Sequence, residues 1–371
     1  MTGLLTAPAT RRATFHPLTV VDVERLTEES VAITFAVPAD LAEAYEFAPG
    51  QHLTLKATID GAEVRNSYSI CQSRRSGRPG TLRVAVAKVP GGRMSPWLTS
   101  DVKAGDVIEV MTPMGTFTCP VKPDEARHHL AIAAGSGITP ILSLVTTALE
   151  EEPDSRVTLM FGNRRTATVM FLEELANLKD RYGARLHLMH VLSREAPDVE
   201  LFAGRMDRDR LTRIFDALVP IDGVDEVYLC GPFGMVQDAQ AVLAERGMDS
   251  AHVHHEIFHV DDDGAPKHTP VVVDESAPPA AVVTVNLDGR TTVINMPSLE
   301  ETILNATLRA RPDAPYSCTG GVCGTCRARV VSGEVKMIRN YALEPEEVAN
   351  GIVLACQALP VTTTVELDYD A

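Results

Sequence analysis

Four cysteines near the C-terminus, Cys318, Cys323, Cys326 and Cys356, are spaced C-x4-C-x2-C with a distant fourth. Any fold of this region must bring the last thiol back to the loop that carries the first three. In that spacing four thiolates hold a [2Fe–2S] cluster, a carrier of single electrons. Gly320, Gly321 and Gly324 lie among the first three thiols, where they allow tight turns that bring backbone N–H groups close to sulfur. Zinc is the competing reading, since Cys323-x2-Cys326 would serve it. A closed zinc site usually draws on a second close pair, however, and the sequence has no second C-x2-C. A Rieske centre needs two histidines, and residues 269–371 contain none.

A chain of 371 residues exceeds one ordinary core and predicts two or three domains. Its formal charge of −16 argues against nucleic acid and anionic membrane as partners, whereas a basic patch on another protein would be attracted. The remaining cysteines, Cys71, Cys119 and Cys230, are scattered rather than spaced as a secreted disulfide framework, so a cytoplasmic protein is expected. Near the N-terminus a short apolar stretch precedes Arg11 and Arg12, the reverse of a signal peptide's order. Residues 130–149 carry no charge and would suit a membrane span by hydropathy alone. Gly135-Ser136-Gly137-Ile138-Thr139-Pro140 interrupts them, which predicts a buried strand followed by a helix instead.

Residues 1–122 read as short strands near 18–23, 31–37, 52–57, 82–88 and 107–110, the pattern of a small antiparallel β-barrel. Over 123–260 the period changes. Strands near 130–133, 156–161, 184–191 and 227–230 alternate with helices near 140–149, 170–182 and 234–245, which predicts an α/β domain with a parallel sheet. Residues 261–279, with Asp261-Asp262-Asp263 and Pro278-Pro279, read as a linker, and 280–371 form a domain around the four thiols.

Arg65-Asn66-Ser67-Tyr68-Ser69 ends one strand of the first domain, and the segment from Lys88 to Pro96 ends another. In the latter, Ser95 is expected as a helix N-cap with Pro96 in the first turn. Gly92, Arg93, Met94 and Ser95 would then suit an anionic phosphate, or equally a hairpin turn leading to a surface helix. In the second domain Gly135-x-Gly137-x-x-Pro140 follows an apolar strand and opens a helix, with Thr139 as N-cap and Pro140 as first helical residue. A dinucleotide pyrophosphate needs that setting. The next strand ends in Arg164-Arg165, where an NAD-selective site often carries an acid. Two arginines suit a ribose phosphate there, or are solvated charges. Cys230, alone, reads as a buried structural thiol. His252, His254, His255 and His259 face irregularly along a strand and lack paired thiols, which argues against a metal.

Together these motifs resemble the ferredoxin–NADP reductase superfamily carrying a C-terminal plant-type [2Fe–2S] ferredoxin domain. The resemblance implies that Tyr68 and Ser69 line a flavin and that Gly92 to Ser95 cradle its phosphates. It departs at Asn66, where the superfamily's R-x-Y-S motif has arginine, so Arg65 is the expected phosphate contact. Pro49-Gly50-Gln51 and the 113–117 turn match family positions as barrel turns. Cys230-Gly231-Pro232 matches the C-G-P motif beside the nicotinamide, and Glu256 and Phe258 match a terminal segment near the flavin. Ser193-Arg194 matches a serine–arginine pair on the 2′-phosphate, which favours NADPH over NADH. The implied third fold is β-grasp.

A nicotinamide surrenders two electrons as hydride while a [2Fe–2S] cluster takes one, and a flavin, FAD by the resemblance, handles both. The stretches Ala314–Cys318, Gly333–Met337, Asn340–Glu344 and Val353–Pro360 most resemble the reductases of the phenylacetyl-CoA epoxidase group. Those imply a di-iron oxygenase component as electron acceptor in phenylacetate degradation. Reductases of Rieske-type oxygenases such as 3-ketosteroid 9α-hydroxylase share the architecture, and a standalone NAD(P)H oxidase or redox module is the reading from a different class. In any of these the linker would let the cluster approach the flavin and then present Arg327, Arg329 or the cluster loop to a partner.

Overall fold

A computed structural model describes residues 13–75, 77–259 and 278–371. They form two compact units, one within residues 16–261 and one within 262–371. The first unit opens with six strands and a short helix: β1 (Phe15–Thr27), β2 (Ser30–Ala36), β3 (His52–Ile59), β4 (Ala62–Ser69), β5 (Thr81–Ala87), α1 (Met94–Ser100) and β6 (Val107–Met111). The sheet order is β4-β3-β6-β1-β2-β5. Alternate apolar residues, Val31, Ile33 and Phe35 on β2 and Leu82, Val84 and Val86 on β5, fill its interior. The outermost strands approach each other where Ile70 pairs with Val84 and Cys71 N–H donates to Arg83 O at 2.9 Å, which blunts the open edges. Strand β4 extends well before the Arg65–Ser69 motif. Its hairpin with β3 turns through Asp60 and Gly61, both at positive φ, as a two-residue primed turn demands.

The α/β region of this unit contains β7 (His128–Ala134), α2 (Ile138–Glu151), β8 (Arg156–Asn163), α3 (Leu172–Tyr182), β9 (Leu186–Leu192), α4 (Arg208–Leu218), β10 (Glu226–Pro232), α5 (Phe233–Glu245) and β11 (Val253–His259). Every pair is parallel in the order β11-β10-β7-β8-β9. The chain therefore reverses its direction of winding between β7 and β10, and such a switch point leaves a crevice at the carboxyl ends of those strands. Buried on both sides, β7 is apolar from Leu130 to Ala134. Two helix starts differ from the sequence expectation. Helix α1 begins at Met94, and Ser95 Oγ instead accepts from Val89 N–H at 3.1 Å, which closes the preceding turn. Helix α2 grows directly out of a 3₁₀ turn at Gly135–Gly137, so Thr139 already lies inside it and donates back to Ser136 O at 3.0 Å.

The second unit holds β12 (Ala281–Leu287), β13 (Arg290–Met296), α6 (Ile303–Ala310), β14 (Arg327–Ser332), β15 (Val335–Met337), α7 (Pro345–Ala349), β16 (Ile352–Leu354), β17 (Ala358–Pro360) and β18 (Thr364–Asp368). A five-stranded mixed sheet, β13-β12-β18-β14-β16, lays Val283, Val285, Val365 and Leu367 against Ile303 and Ala306 of α6. Thr302 caps that helix by accepting from Asn305 N–H at 3.4 Å. The expected linker lies outside the described residues except for Pro278 and Pro279.

Between the barrel and β7, one buried carboxylate gathers the chain. Glu152, 1% exposed, accepts from His129 Nε2 at 2.8 Å, Ser155 Oγ at 2.8 Å, Lys122 N–H at 3.1 Å and Arg127 Nε at 3.3 Å. Arg127 also donates to Pro120 O at 2.9 Å, so the connecting segment is held at both ends. Burial opposes the charge of Glu152, but the hydrogen bonds from His129, Arg127, Ser155 and Lys122 together pull its carboxyl down to about 2. A depressed carboxyl contributes its stability fully above its ordinary value of 4.5 and loses it as pH falls toward 2. Acid titration of the unfolding free energy should show that loss between these limits. Arg127→Ala, which strands the buried carboxylate, should cost about 3–5 kcal/mol in urea unfolding at neutral pH.

Candidate functional site

At the switch point, the residues that follow β7 and β10 touch. A Cβ on Gly137 would lie 2.2 Å from Cys230 O and 2.9 Å from Gly231 N, so only glycine lets α2 start this close to β10. Pro140 is buried in the first turn of α2, and Pro232 caps α5 as the residue before it. Gly135 takes φ +55 with nothing within 4 Å of its Cβ position, which leaves the backbone open above the strands. Next across the sheet, Cys230 pairs with Glu256 of β11, and Glu256 accepts from Ser69 Oγ of the barrel at 3.4 Å. Phe258, two residues on, packs against the core shared by the barrel and the α/β region.

Ser69, Cys230 and Glu256 thus form one cluster from two sheets, while Tyr68, on the other face of β4, packs against the barrel core. Burial, and then the charge of Glu256, pushes the Cys230 thiol up. Burial also raises the Glu256 carboxyl to about 8, against the hydrogen bond from Ser69. Burial thus disfavours the charged form of both groups. The Tyr68 hydroxyl is buried and has no hydrogen-bond partner among the described residues. A buried hydroxyl without a protein partner is a polar position that a bound ring system with polar edges, such as a flavin, would satisfy.

The phosphate turn looks different from its sequence reading. Met94 points into the barrel core and Ser95 Oγ is occupied by Val89 N–H, so this turn offers backbone groups rather than those side chains. Arg93 donates to Ile59 O across the turn, and a Cβ on Gly92 would meet Val89 O at 3.1 Å. On β4, alternation puts Asn66 on the same side as Tyr68 and Arg65 on the opposite side. There Arg65 pairs across the hairpin with Lys56 and donates to Glu63 at 2.8 Å. Gly50, at φ +93, sits with its Cβ position 2.0 Å from Phe117 O, so the two barrel turns of the sequence reading pack on each other.

Beyond β8 and β9 the ladder continues: Ser193 N–H donates to Asn163 O at 2.9 Å and Arg194 N–H to Arg164 O at 2.8 Å. Arg164, Arg165, Ser193 and Arg194 therefore occupy one rim, where all three arginines are exposed. A residue that sequence reasoning missed stands with them. Glu195 reaches across to Thr166, and no spacing rule links those two positions. The histidines are spread: His252 and His254 lie 3.4 and 2.9 Å from Glu226, while His255 Nδ1 is 3.3 Å from Gln240 Nε2.

In the second unit the four thiols fall into two pairs, Cys318 with Cys323 and Cys326 with Cys356, each joined by a sulfur hydrogen bond. The bond from Cys323 draws the Cys318 thiol down to about 6, and that from Cys326 lowers Cys356. Among the described residues no three His, Cys, Asp or Glu side chains converge as a mononuclear site would need. Four thiols in this spacing fit the ligand set of a binuclear [2Fe–2S] cluster. Gly320 N–H points at Cys318 Sγ at 3.4 Å, Cys356 N–H at Cys326 Sγ at 3.5 Å and Gln357 Nε2 at Cys356 Sγ at 3.7 Å. Such donors stabilise negative charge on sulfur. Cys326 and Cys356 are 2% exposed, whereas Cys318 and Cys323 are half-buried on the outer side.

Comparison with known proteins finds three family matches along the chain. Residues 17–119 match an oxidoreductase FAD-binding domain, 131–241 an oxidoreductase NAD-binding domain and 285–361 a 2Fe–2S iron–sulfur cluster binding domain. Over 358 residues the chain is 45% identical to a 1,2-phenylacetyl-CoA epoxidase component from Escherichia coli, covering 96% of this chain and 98% of that protein. It is 34% identical over 356 residues to the ferredoxin reductase component of 3-ketosteroid-9-alpha-monooxygenase from Rhodococcus rhodochrous, covering 95% and 96%. Phthalate dioxygenase reductase shares the fold at a TM-score of 0.56 and 23% identity, over 95% of this chain and 98% of that one.

The cluster loop supplies a direct test. Gly321 has φ +81, and its Cβ position lies 3.2 Å from Gln357 Cγ and 3.4 Å from Arg339 O. Gly321→Ala should therefore lower iron per protein and the broad visible absorption of the cluster at least twofold while flavin content stays unchanged. Full iron occupancy in this variant would show that the loop tolerates a side chain.

Proposed function

This chain belongs to the family of oxygenase reductases that join FAD-binding, NAD-binding and 2Fe–2S domains in one polypeptide, and on that premise we propose that it carries electrons from NADPH to the di-iron oxygenase component of a phenylacetyl-CoA epoxidase. The observation that carries the choice of partner is the likeness, along nearly the whole chain, to the Escherichia coli component of that epoxidase. A Rieske-type oxygenase is the second reading, favoured by the weaker likeness to the 3-ketosteroid enzyme's reductase.

In this reading the backbone of Gly135–Gly137 and the start of α2 receive the pyrophosphate of the nicotinamide nucleotide. Cys230, Gly231 and Pro232 form the floor on which its ring lies. Tyr68, Ser69, Glu256 and Phe258 orient the flavin, with Ser69 holding the Glu256 carboxyl. Backbone groups of Gly92 to Ser95 receive the flavin phosphates, with Arg93 anchoring the turn. Asn66, on the Tyr68 side of β4, is better placed than Arg65 to share that contact. Bound flavin supplies the conversion of a two-electron donor into single electrons. Burial of Cys230 keeps its thiol protonated, so no fixed anion faces the hydride. Cys318, Cys323, Cys326 and Cys356 would ligate the cluster, with the N–H groups of Gly320 and Cys356 donating to its sulfur ligands. Arg164, Arg165, Ser193 and Arg194 receive a 2′-phosphate.

Three measurements check this. Reduction of a purified phenylacetyl-CoA epoxidase oxygenase component should be fast when this protein and NADPH are supplied anaerobically, and a chain that reduces only oxygen would defeat the reading. Cys326→Ser should abolish cluster-dependent cytochrome c reduction and leave ferricyanide reduction through the flavin within about twofold. Arg165→Glu with Arg194→Glu should raise KM for NADPH at least tenfold more than KM for NADH.

A further inference from the structure

The basic rim contains one acidic side chain to which the electron path gives no role. Glu195 follows directly on Ser193 and Arg194, yet both its carboxylate oxygens turn to one residue on the neighbouring strand's loop. They accept from Thr166 N–H at 2.7 Å and from Thr166 Oγ1 at 2.9 Å. The backbone enforces this meeting. The two hydrogen bonds that carry the ladder past β8 and β9 set Arg194 against Arg164, which brings Glu195 to the edge where the turn after Arg165 presents Thr166. Thr168 steadies the other side by accepting from Arg165 N–H at 3.2 Å and donating to Arg165 O at 2.8 Å. The hydrogen bonds from Thr166, with a smaller contribution from the charge of Arg165, lower the carboxyl below its ordinary value, so the anion persists throughout the neutral range.

Glu195 forms no ion pair with Arg164, Arg165 or Arg194 among the described residues. Its charge is therefore held within the rim by neutral donors and is not cancelled by a direct contact there. A 2′-phosphate settling between the arginines meets this fixed anion, whereas a free ribose hydroxyl meets an oriented acceptor. The first interaction is repulsive and the second attractive, and both reduce the preference that the arginines create.

We propose that Glu195, clamped by Thr166, is a specificity-determining residue that limits the preference of this site for a 2′-phosphate, so that the reductase accepts NADH alongside NADPH. This rests on the rim being the site of the adenosine ribose. A single carboxylate there balances a cluster of arginines, and removing it converts a dual-cofactor site into an NADPH-selective one.

Calorimetric titration of the full-length holoprotein with 2′,5′-ADP and with 5′-AMP tests this apart from turnover. Glu195→Gln should tighten 2′,5′-ADP by roughly 5–10-fold and leave 5′-AMP unchanged or weaker, with the gain shrinking in high salt as an interaction between exposed charges must. The kcat/KM ratio of NADPH to NADH should rise in parallel. Equal changes for both ligands, or a gain that salt does not reduce, would overturn the proposal. The Arg165→Glu and Arg194→Glu double variant separates the two levels. If it binds 2′,5′-ADP as the parent does, the rim is not the ribose site and the NADPH reading falls with the role of Glu195. If it loses 2′,5′-ADP while Glu195→Gln changes nothing, the rim stands and the role of Glu195 alone is rejected.

Discussion

A single desolvated carboxylate organises the first unit. Glu152 lies at the end of α2, but its partners come from the connecting segment, from β7 and from the turn before β8. Removing any one donor leaves charge in a dry place, so the four positions are fixed together or not at all. The connector is pinned to the base of the same helix whose other end forms the nucleotide crevice. Helix α2 thus transmits the position of the barrel's exit to the floor of the site. Further contacts brace the same relationship: Ser143 of α2 donates to Gln72 O at 2.6 Å, and Arg83 of β5 bonds Glu174 of α3 at 2.9 Å. A reaction that requires residues of two sheets to meet depends on this bracing more than on any one side chain at the site.

Much of the architecture was legible because its signals are local. The change from period two to alternating strands and helices near residue 123 reflects backbone geometry that each segment obeys by itself. The four cysteines were legible because ligand spacing is dictated by the cluster and not by the rest of the protein. Helix starts were less so. Ser95 and Thr139 are good caps by residue type, yet each hydroxyl found a backbone partner within a preceding turn that propensity cannot foresee. Charge alone favours Arg65 over Asn66 as a phosphate contact, but the alternation of β4 divides the two between its faces and leaves Asn66 beside Tyr68. The meeting of Glu195 with Thr166 and the gathering at Glu152 were illegible for one reason: both join residues that only the sheet order brings together.

The two candidate centres solve different electrostatic problems. Around Cys230 and Glu256 the protein lowers polarity, so burial holds protons on groups that would otherwise ionise. Around the four thiols the effect is divided: hydrogen bonds favour the anionic form of Cys318 and Cys356, while their partners Cys323 and Cys326 are pushed the other way by those same bonds and by burial. Donors directed at sulfur stabilise the negative charge that thiolate ligands carry. The contrast explains why glycines recur in both places for separate reasons. At Gly137 the missing Cβ admits another backbone carbonyl, while at Gly321 it permits a left-handed turn over sulfur ligands.

The unequal burial of the two thiol pairs has a consequence for how the protein ages. Cys318 and Cys323 lie on the side open to solvent, while Cys326 and Cys356 are sealed beneath Leu304, Leu343 and Leu354. Oxidation in air is therefore expected at the outer thiols before it reaches the pair under the apolar cover.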